Sequence, residues 1–453
     1  MQQNEKSRML GTMKMSRLVP TVAVPIMISL LVQALYNIVD SIFVAKYSQD
    51  ALTAVSLAYP IQMLMIAVST GLGTGINAVT SRFLGKKNSE DAIKAAGNGL
   101  TLMLSGFVIF LVFGLFFSDD AFRLLTKDET LRDLGVVYLS TVCTFSFGLF
   151  SAILFERLMQ STGNTILSMV TQITGAVVNI ILDPIMIFGM FGFPEMGIRG
   201  AAVATVIGQI SSMALGFFIN QTKNKELKLN IRSLILKKEI VREILRVGIP
   251  SMIMQSISSV MNVTFNAILI VYGKVAVNIL GIYFKLQSFV FMPIFGLSNG
   301  LVPIIGYNYG ARNKERIYTA IKTALVWAMS VMVVGMTLFL IFPKALLSLF
   351  ESGTVSEITT VGSIALRTIC IHFPLAAIGI TLSTTFQAIG KGLYSMIMSI
   401  CRQLLVLIPA AWILSKVGGL NAIWWSFVIA EGVCLVICLF MYNNVNRRIF
   451  KHL

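Results

Sequence analysis

The sequence predicts an all-α polytopic membrane protein, with twelve transmembrane helices in two homologous six-helix lobes and both termini in the cytoplasm. Three observations carry that prediction: uncharged apolar runs recur along the chain, charge is placed asymmetrically between them, and the second half repeats the first. Of the 453 residues 56% are apolar and 12% charged, with mean hydropathy +0.82, whereas soluble domains carry about 25% charge. The uncharged runs are 18–39, 51–81, 97–117, 134–155, 158–182, 200–222, 247–273, 286–311, 323–343, 368–390, 403–415 and 417–430. Crossing a bilayer takes about 20 apolar residues, and the last run reaches that length by continuing past Glu431. Strands of a β-barrel would alternate in polarity rather than run continuously apolar.

A net charge of +16 would suit a nucleic-acid partner, but its placement says otherwise. With a cytoplasmic N-terminus, 25 of the 36 Lys and Arg residues fall in the N-terminal tail, the even-numbered connections and the C-terminus, and 8 fall on the other side. Lys285, Arg367 and Arg402 lie inside spans. This is the positive-inside pattern over the whole chain, so the partner is the lipid bilayer and no nucleic acid. The first apolar run is too long for a cleavable signal peptide, and no small-residue cleavage site follows it. The five cysteines all lie in apolar runs and read as small core residues. The two histidines, His372 and His452, join no metal-ligand or nucleophile–base pattern, so an enzyme is not expected and no cofactor is implied.

In the first span, Gln33, Tyr36, Asn37 and Asp40 recur every three or four residues and form one polar stripe. Tyr59 and Gln62 in span two fall at a similar depth. Span four ends in Glu156-Arg157; Glu156 is a candidate lower station for protons or substrate, with local pairing as the alternative. Span five carries Asn179-Ile-Ile-Leu-Asp183-Pro184. A carboxylate at that depth costs roughly 3 kcal/mol on insertion scales. Asn179 is one turn earlier on the same face, and Pro184 frees the carbonyl of Ile180. Thr205 in span six descends to the same level. Acid, amide and freed carbonyl make a site for a proton or small cation; a carboxyl neutralised by packing is the alternative.

Residues 221–246 form the longest polar stretch and divide an N-lobe, 1–220, from a C-lobe, 247–453. A shift of 225 aligns positions 24–88 with the second half at 12 identities in 65 without a gap, including Pro25/Pro250, Asn37/Asn262, Gln62/Gln287, Gly75/Gly300 and Asn88/Asn313. Six spans per copy give both the same orientation, related by an axis along the membrane normal. Such folds place the substrate path between the halves. Asp40 aligns with Phe265, and spans seven to eleven hold no acid. Lys285 is a candidate to face the inter-lobe cavity, with carbonyl contacts as the alternative. Arg402 and Glu431, near mid-membrane on consecutive spans, are expected to form a structural ion pair.

These residues resemble the multidrug and toxic compound extrusion (MATE) transporters, in particular the bacterial MepA-type branch. The resemblance covers the whole chain and is carried by the "NIILDPIMIFG" and "GIRGAAVAT" segments and by Asp40 combined with Asn179-x-x-x-Asp183-Pro184 and Thr205. It implies that Asp40, Asn179, Asp183 and Thr205, with Tyr36 beside Asp40, hold a coupling H⁺ or Na⁺. It also implies efflux of cationic amphipathic small molecules by antiport from the bacterial cytoplasmic membrane, by a protein that works as a monomer. Branches that rely on C-lobe acids are not matched here. The alternative within the wider superfamily is a lipid-linked saccharide flippase, for which Lys285 and Arg402 would be the cationic candidates.

Overall fold

The computed structural model describes residues 6–349 and 357–453. In the first half, α1 (Lys6–Thr12) leads into α2 (Met15–Tyr47), α3 (Gln49–Gly85) and α4 (Ser89–Phe116). A short α5 (Ser118–Leu125) follows, then α6 (Glu129–Thr144) and α7 (Phe147–Ser161), which meet at a 45° bend, and α8 (Thr165–Phe188) and α9 (Ile198–Thr222). The second half contains α10 (Lys238–Leu269), α11 (Lys274–Gly310), α12 (Lys314–Ile341) and α13 (Pro343–Ser348). It ends with α14 (Glu357–Ile369), α15 (Phe373–Ala388), α16 (Gly392–Ile400), α17 (Ile408–Ile423) and α18 (Trp425–Arg448). The pair α14/α15 is continuous through a 3-10 turn, and α16/α17 through a π-helical stretch, Cys401–Leu407. Eleven helical stretches are long and apolar enough to span a bilayer, and α6/α7 makes a twelfth.

The repeat read from the sequence recurs in local geometry. Asn88 caps α4 by accepting from the Asp91 amide at 3.1 Å, and Asn313 caps α12 by accepting from the Arg316 amide at 3.2 Å. Before each cap stands a residue in the left-handed region, Lys87 (φ 57°) and Arg312 (φ 54°). Non-glycine residues rarely adopt that conformation, so its recurrence 225 positions apart marks one turn used twice.

The polar connection is shorter than the 221–246 expected, because α10 already begins at Lys238. Its first turns are amphipathic: Ile240 and Ile244 are buried, while Glu243 reaches out to Arg82 at 3.3 Å. Asn98 of α4 fastens the remaining loop, donating to the Ser233 and Ile235 carbonyls (3.1 and 2.9 Å) and accepting from the Lys237 amide (2.7 Å).

The boundary between the lobes is also not a clean cut. Leu18, Val19, Val22 and Ala23 of α2 pack in the apolar core of the second half, whereas Ile240 and Ile244 of α10 pack in that of the first. Each lobe's first helix therefore leans on the other lobe on the side that carries the 221–246 segment, called here the linker side. Glycines make this seam tight. A Cβ at Gly75 would overlap the Ile244 carbonyl, one at Gly85 the Tyr307 carbonyl, and one at Gly310 the Arg82 carbonyl. A Cβ at Gly300 would come within 3.1 Å of Ala23 Cα.

α1 straps the same side. Leu10 is fully buried, and its carbonyl accepts from Asn308 Nδ2 (2.9 Å) and Arg316 Nη2 (3.1 Å), which also donates to Met13 O (2.8 Å). At the other end the Ser7 amide donates to Glu226 Oε1 at 3.2 Å. Burial raises the Glu226 carboxyl above its ordinary range, against the pull of its Ser7 hydrogen bonds.

Candidate functional site

Four helices of the first half bring the predicted polar residues together. Gly175 on α8 and Gly208 on α9 let those helices approach until a Cβ at Gly208 would stand 2.7 Å from the Gly175 carbonyl oxygen. That closeness delivers Thr205 to Asn179, whose Nδ2 lies 3.4 Å from Thr205 Oγ1 and donates to Asp183 Oδ1 at 3.3 Å. Asp183 is fully buried and Asn179 nearly so. From α2, Asp40 comes within hydrogen-bonding reach of the Asp183 carboxyl, and Tyr36 lies beside both acids. Three buried oxygens in this cluster, Asp40 Oδ1, Asp183 Oδ2 and Asn179 Oδ1, have no hydrogen-bond donor. A buried acceptor without a partner is costly, and two touching carboxylates cannot both be ionised cheaply. What the cluster lacks is positive charge, as a proton or as a hard cation that takes oxygen ligands. Among the described residues, no group of three or more His, Cys, Asp and Glu side chains forms a metal site. A cation here would rest on two carboxylates, an amide and a hydroxyl.

Tyr138 on α6 belongs to the same cluster and was not singled out in the sequence. Its hydroxyl accepts from Gln62 Nε2 at 3.2 Å, and it lies within electrostatic range of Asp40, Asp183 and Tyr36. Its place near the outer end of the fourth uncharged run was the available signal. Gln62 is thus brought to the acids through Tyr138, while Tyr59, 54% exposed, is not part of the cavity wall.

Next to the acids lies a cavity of about 670 Å³ between the two halves. Gln33, Tyr36 and Asn37 of α2, Asn179 of α8 and Thr205 of α9 line one wall. Gln33 accepts from Gln172 Nε2 at 3.3 Å, a second polar contact absent from the sequence reading. Met254, Gln255, Met292 and Phe295 supply much of the opposite wall. Thr70 donates to Gln255 at 2.9 Å across the halves, just above the glycine seam that closes the cavity on the linker side.

Glu156 lines the cavity and is held locally, accepting from Gln160 Nε2 at 2.8 Å. Arg157, counted by sequence among the cytoplasmic charges, is instead 7% exposed and donates to Gln160 Oε1 at 2.9 Å. Its stem packs on Gly73, where a Cβ would meet Arg157 Cγ at 2.9 Å, and this contact draws the side chain inward. The structure brings Arg402 and Glu431 together: Arg402 Nη1 lies 3.4 Å from both carboxylate oxygens, and both residues line the cavity. Lys285 is exposed on α11 and is not part of the cavity wall, contrary to the expectation that it faces the inter-lobe space. The cause is helical phase. Tyr283 and Leu286 turn into the lobe's own core, leaving Lys285 outside.

The MatE family model matches this chain twice, at residues 25–185 and 250–413, one match per half. The chain belongs to the MATE family. It is 30% identical over 433 residues to the multidrug export protein MepA of Staphylococcus haemolyticus, covering 94% of this chain and 93% of that one. The fold superposes on a multidrug resistance MATE transporter in an outward-facing conformation with TM-score 0.92 at 26% identity, covering both chains completely. A MOP superfamily transporter from Pyrococcus furiosus matches with TM-score 0.91 at 25% identity, again over both whole chains. The protein is thus a multi-pass bacterial membrane transporter of the MATE family rather than an enzyme.

Proposed function

We propose that this MATE protein is a secondary active multidrug exporter that exchanges H⁺ or Na⁺ for amphipathic organic cations by alternating access. The observation that carries the reading is the trio of buried, donorless oxygens on Asp40, Asp183 and Asn179. They sit beside a cavity large enough for a drug-sized molecule, since ligand sites commonly span about 300–1,000 Å³. The names of the curated relatives support the export of drugs. If the linker side is cytoplasmic, as the Lys and Arg placement implies, the glycine seam closes the inner entrance and this conformation faces outward.

In that conformation an incoming proton or Na⁺ reaches the acid cluster. It neutralises one carboxylate, supplies the missing partner for the orphan oxygens and relieves repulsion between Asp40 and Asp183. Any conformation in which the two acids stand apart gains less from the ion, and that difference in affinity is what shifts the equilibrium. Asp40 rides on α2 and Asp183 on α8, so ion binding bears on the packing of α2, whose other half lies in the seam. Aromatic and methionine side chains on the cavity wall suit varied apolar cations. The flippase reading has less support, because Lys285 lies off the cavity wall and Arg402 is compensated by Glu431.

The test uses purified protein in liposomes loaded with ethidium, under an imposed pH gradient and, separately, a Na⁺ gradient. Efflux driven by one gradient, and lost in Asp40→Asn and Asp183→Asn, is the expected result. Gradient-independent movement, unchanged by Asp183→Asn, would sink the antiport reading.

A further inference from the structure

The wall of the cavity opposite the acid cluster carries an arginine whose hydrogen-bonding capacity is mostly unused. Arg402 stands in the π-helical stretch Cys401–Leu407, a wide-turn geometry that occurs frequently at functional sites. Only Nη1 approaches Glu431, at 3.4 Å from each oxygen, longer than the roughly 2.7–2.9 Å of a tight charge-assisted bond. The Nε and Nη2 groups donate to nothing among the described residues. The exposure of the two partners is unequal: Arg402's side chain is 31% exposed and Glu431's 6%. Glu431 therefore cancels Arg402's charge from behind without occupying the fork of N–H groups in front. The nearby Ser383 hydroxyl also lines the cavity, buried and without a partner.

Across the cavity the pattern is reversed. There Glu156 lines the wall, and behind Tyr36, Asn179 and Thr205 stand the acids Asp40 and Asp183 with their orphan oxygens. The charged residues on the cavity wall are Glu156, Arg157, Arg402 and Glu431, whose formal charges cancel. A wall with no net charge, acceptors on one side and a free guanidinium fork on the other fits a molecule carrying both signs. We propose that Arg402 anchors the carboxylate of zwitterionic amphipathic amines, with the ammonium end toward the Glu156 wall, so that carboxylate-bearing amines are substrates alongside simple cations. The proposal rests on the exporter reading and names a substrate class for the same cavity. A planar guanidinium pairs with a carboxylate through two parallel bonds, which a lysine ammonium does not reproduce.

The experiment compares two dyes that differ only in this group, rhodamine 110, a zwitterion with a free carboxylate, and its methyl ester rhodamine 123, a cation. Their binding to the purified full-length protein is read by fluorescence polarisation. Arg402→Gln alone would strand Glu431 in a buried site, so the decisive variant is Arg402→Gln/Glu431→Gln, with rhodamine 123 binding as its own control for folding. Wild type is expected to bind both dyes, and the double variant to lose about tenfold or more for rhodamine 110 with rhodamine 123 nearly unchanged. Arg402→Lys should fall between the two. Glu431→Gln, which unmasks Arg402's charge, should tighten rhodamine 110 and weaken rhodamine 123, whereas a purely structural pair would weaken both. Equal loss of both dyes in the double variant, or no loss of rhodamine 110, would overturn the proposal. Wild type that binds rhodamine 123 but not rhodamine 110 overturns this proposal alone; wild type that binds neither overturns the exporter reading with it.

Discussion

The two lobes share a scaffold and differ in what happens to buried charge. Where the first lobe has Asp40, the second has Phe265 at the aligned position, fully buried and 5.1 Å from the ring of Phe427. Around it Tyr283, Phe291, Phe339 and Phe373 continue an aromatic core, and His372 joins it through a 3.0 Å bond between Tyr283 Oη and its Nε2. The second lobe's cavity acid, Glu431, has a base beside it, while Asp40 and Asp183 have none. Of two copies of one architecture, then, one compensates its buried acid internally and the other leaves its acids to be compensated by something that comes and goes. The comparison teaches that depth in the membrane does not distinguish a coupling acid from a structural one; its partner does.

The largest expected effect breaks that contrast directly. Asp183→Asn should lower gradient-driven efflux by about 5–150-fold, the range of ordinary coupling energies, whereas Glu431→Gln should leave the coupling ion's effect on efflux in place. Equal loss in both would erase the distinction between the lobes. Next is the seam. Gly75 and Gly300 are aligned repeat positions, but a Cβ at Gly75 meets a backbone carbonyl and one at Gly300 meets Ala23. Gly75→Ala should therefore weaken the linker-side closure more, by about 1–3 kcal/mol, seen as faster thiol labelling of a Ser81→Cys reporter buried in that seam. If Gly300→Ala opened the reporter more than Gly75→Ala, the seam would not be governed by this contact.

Tyr138→Phe removes the hydroxyl that accepts from Gln62. A single hydrogen bond is worth about 1 kcal/mol, so coupling-ion affinity, read from the ion dependence of efflux, should change severalfold without loss of transport. The smallest contrast is one of sameness: Asn88→Ala and Asn313→Ala each remove one helix cap, costing about 0.5–2 kcal/mol, and should lower the thermal unfolding temperature to a similar extent. A large inequality would show that the two turns, alike in geometry, carry different loads.

Much of the site was legible because it obeys helical arithmetic. Tyr36 and Asp40, or Asn179 and Asp183, are four apart on one face, and their depth follows from counting along uncharged runs. The twelve spans and the duplication were legible for the same reason. What the sequence did not show depends on which helices touch. Tyr138 joins the acids only because α6 lies against α3 and carries it to Gln62. Arg157 reads as a surface charge until Gly73 opens a place for its stem. Lys285 reads as a buried charge until Tyr283 and Leu286 fix the phase of α11. The crossing of α2 and α10 into each other's lobes is equally invisible to a one-dimensional reading, since apolar residues look alike whichever core receives them.

The strap formed by α1 has a consequence for how the chain is made. Leu10 and Met13 are among the first residues to leave the ribosome, yet their carbonyls wait for Asn308 and Arg316, 298 to 306 positions later in the chain. Contacts of such separation form late, because the loop between them must close first. While the first lobe folds during synthesis, its N-terminal segment and the apolar half of α2 have no permanent neighbour, and domains emerging in order expose such surfaces. The docking of α1 is then the last stitch of assembly, and it can be made only on a chain whose second lobe has already been inserted and packed.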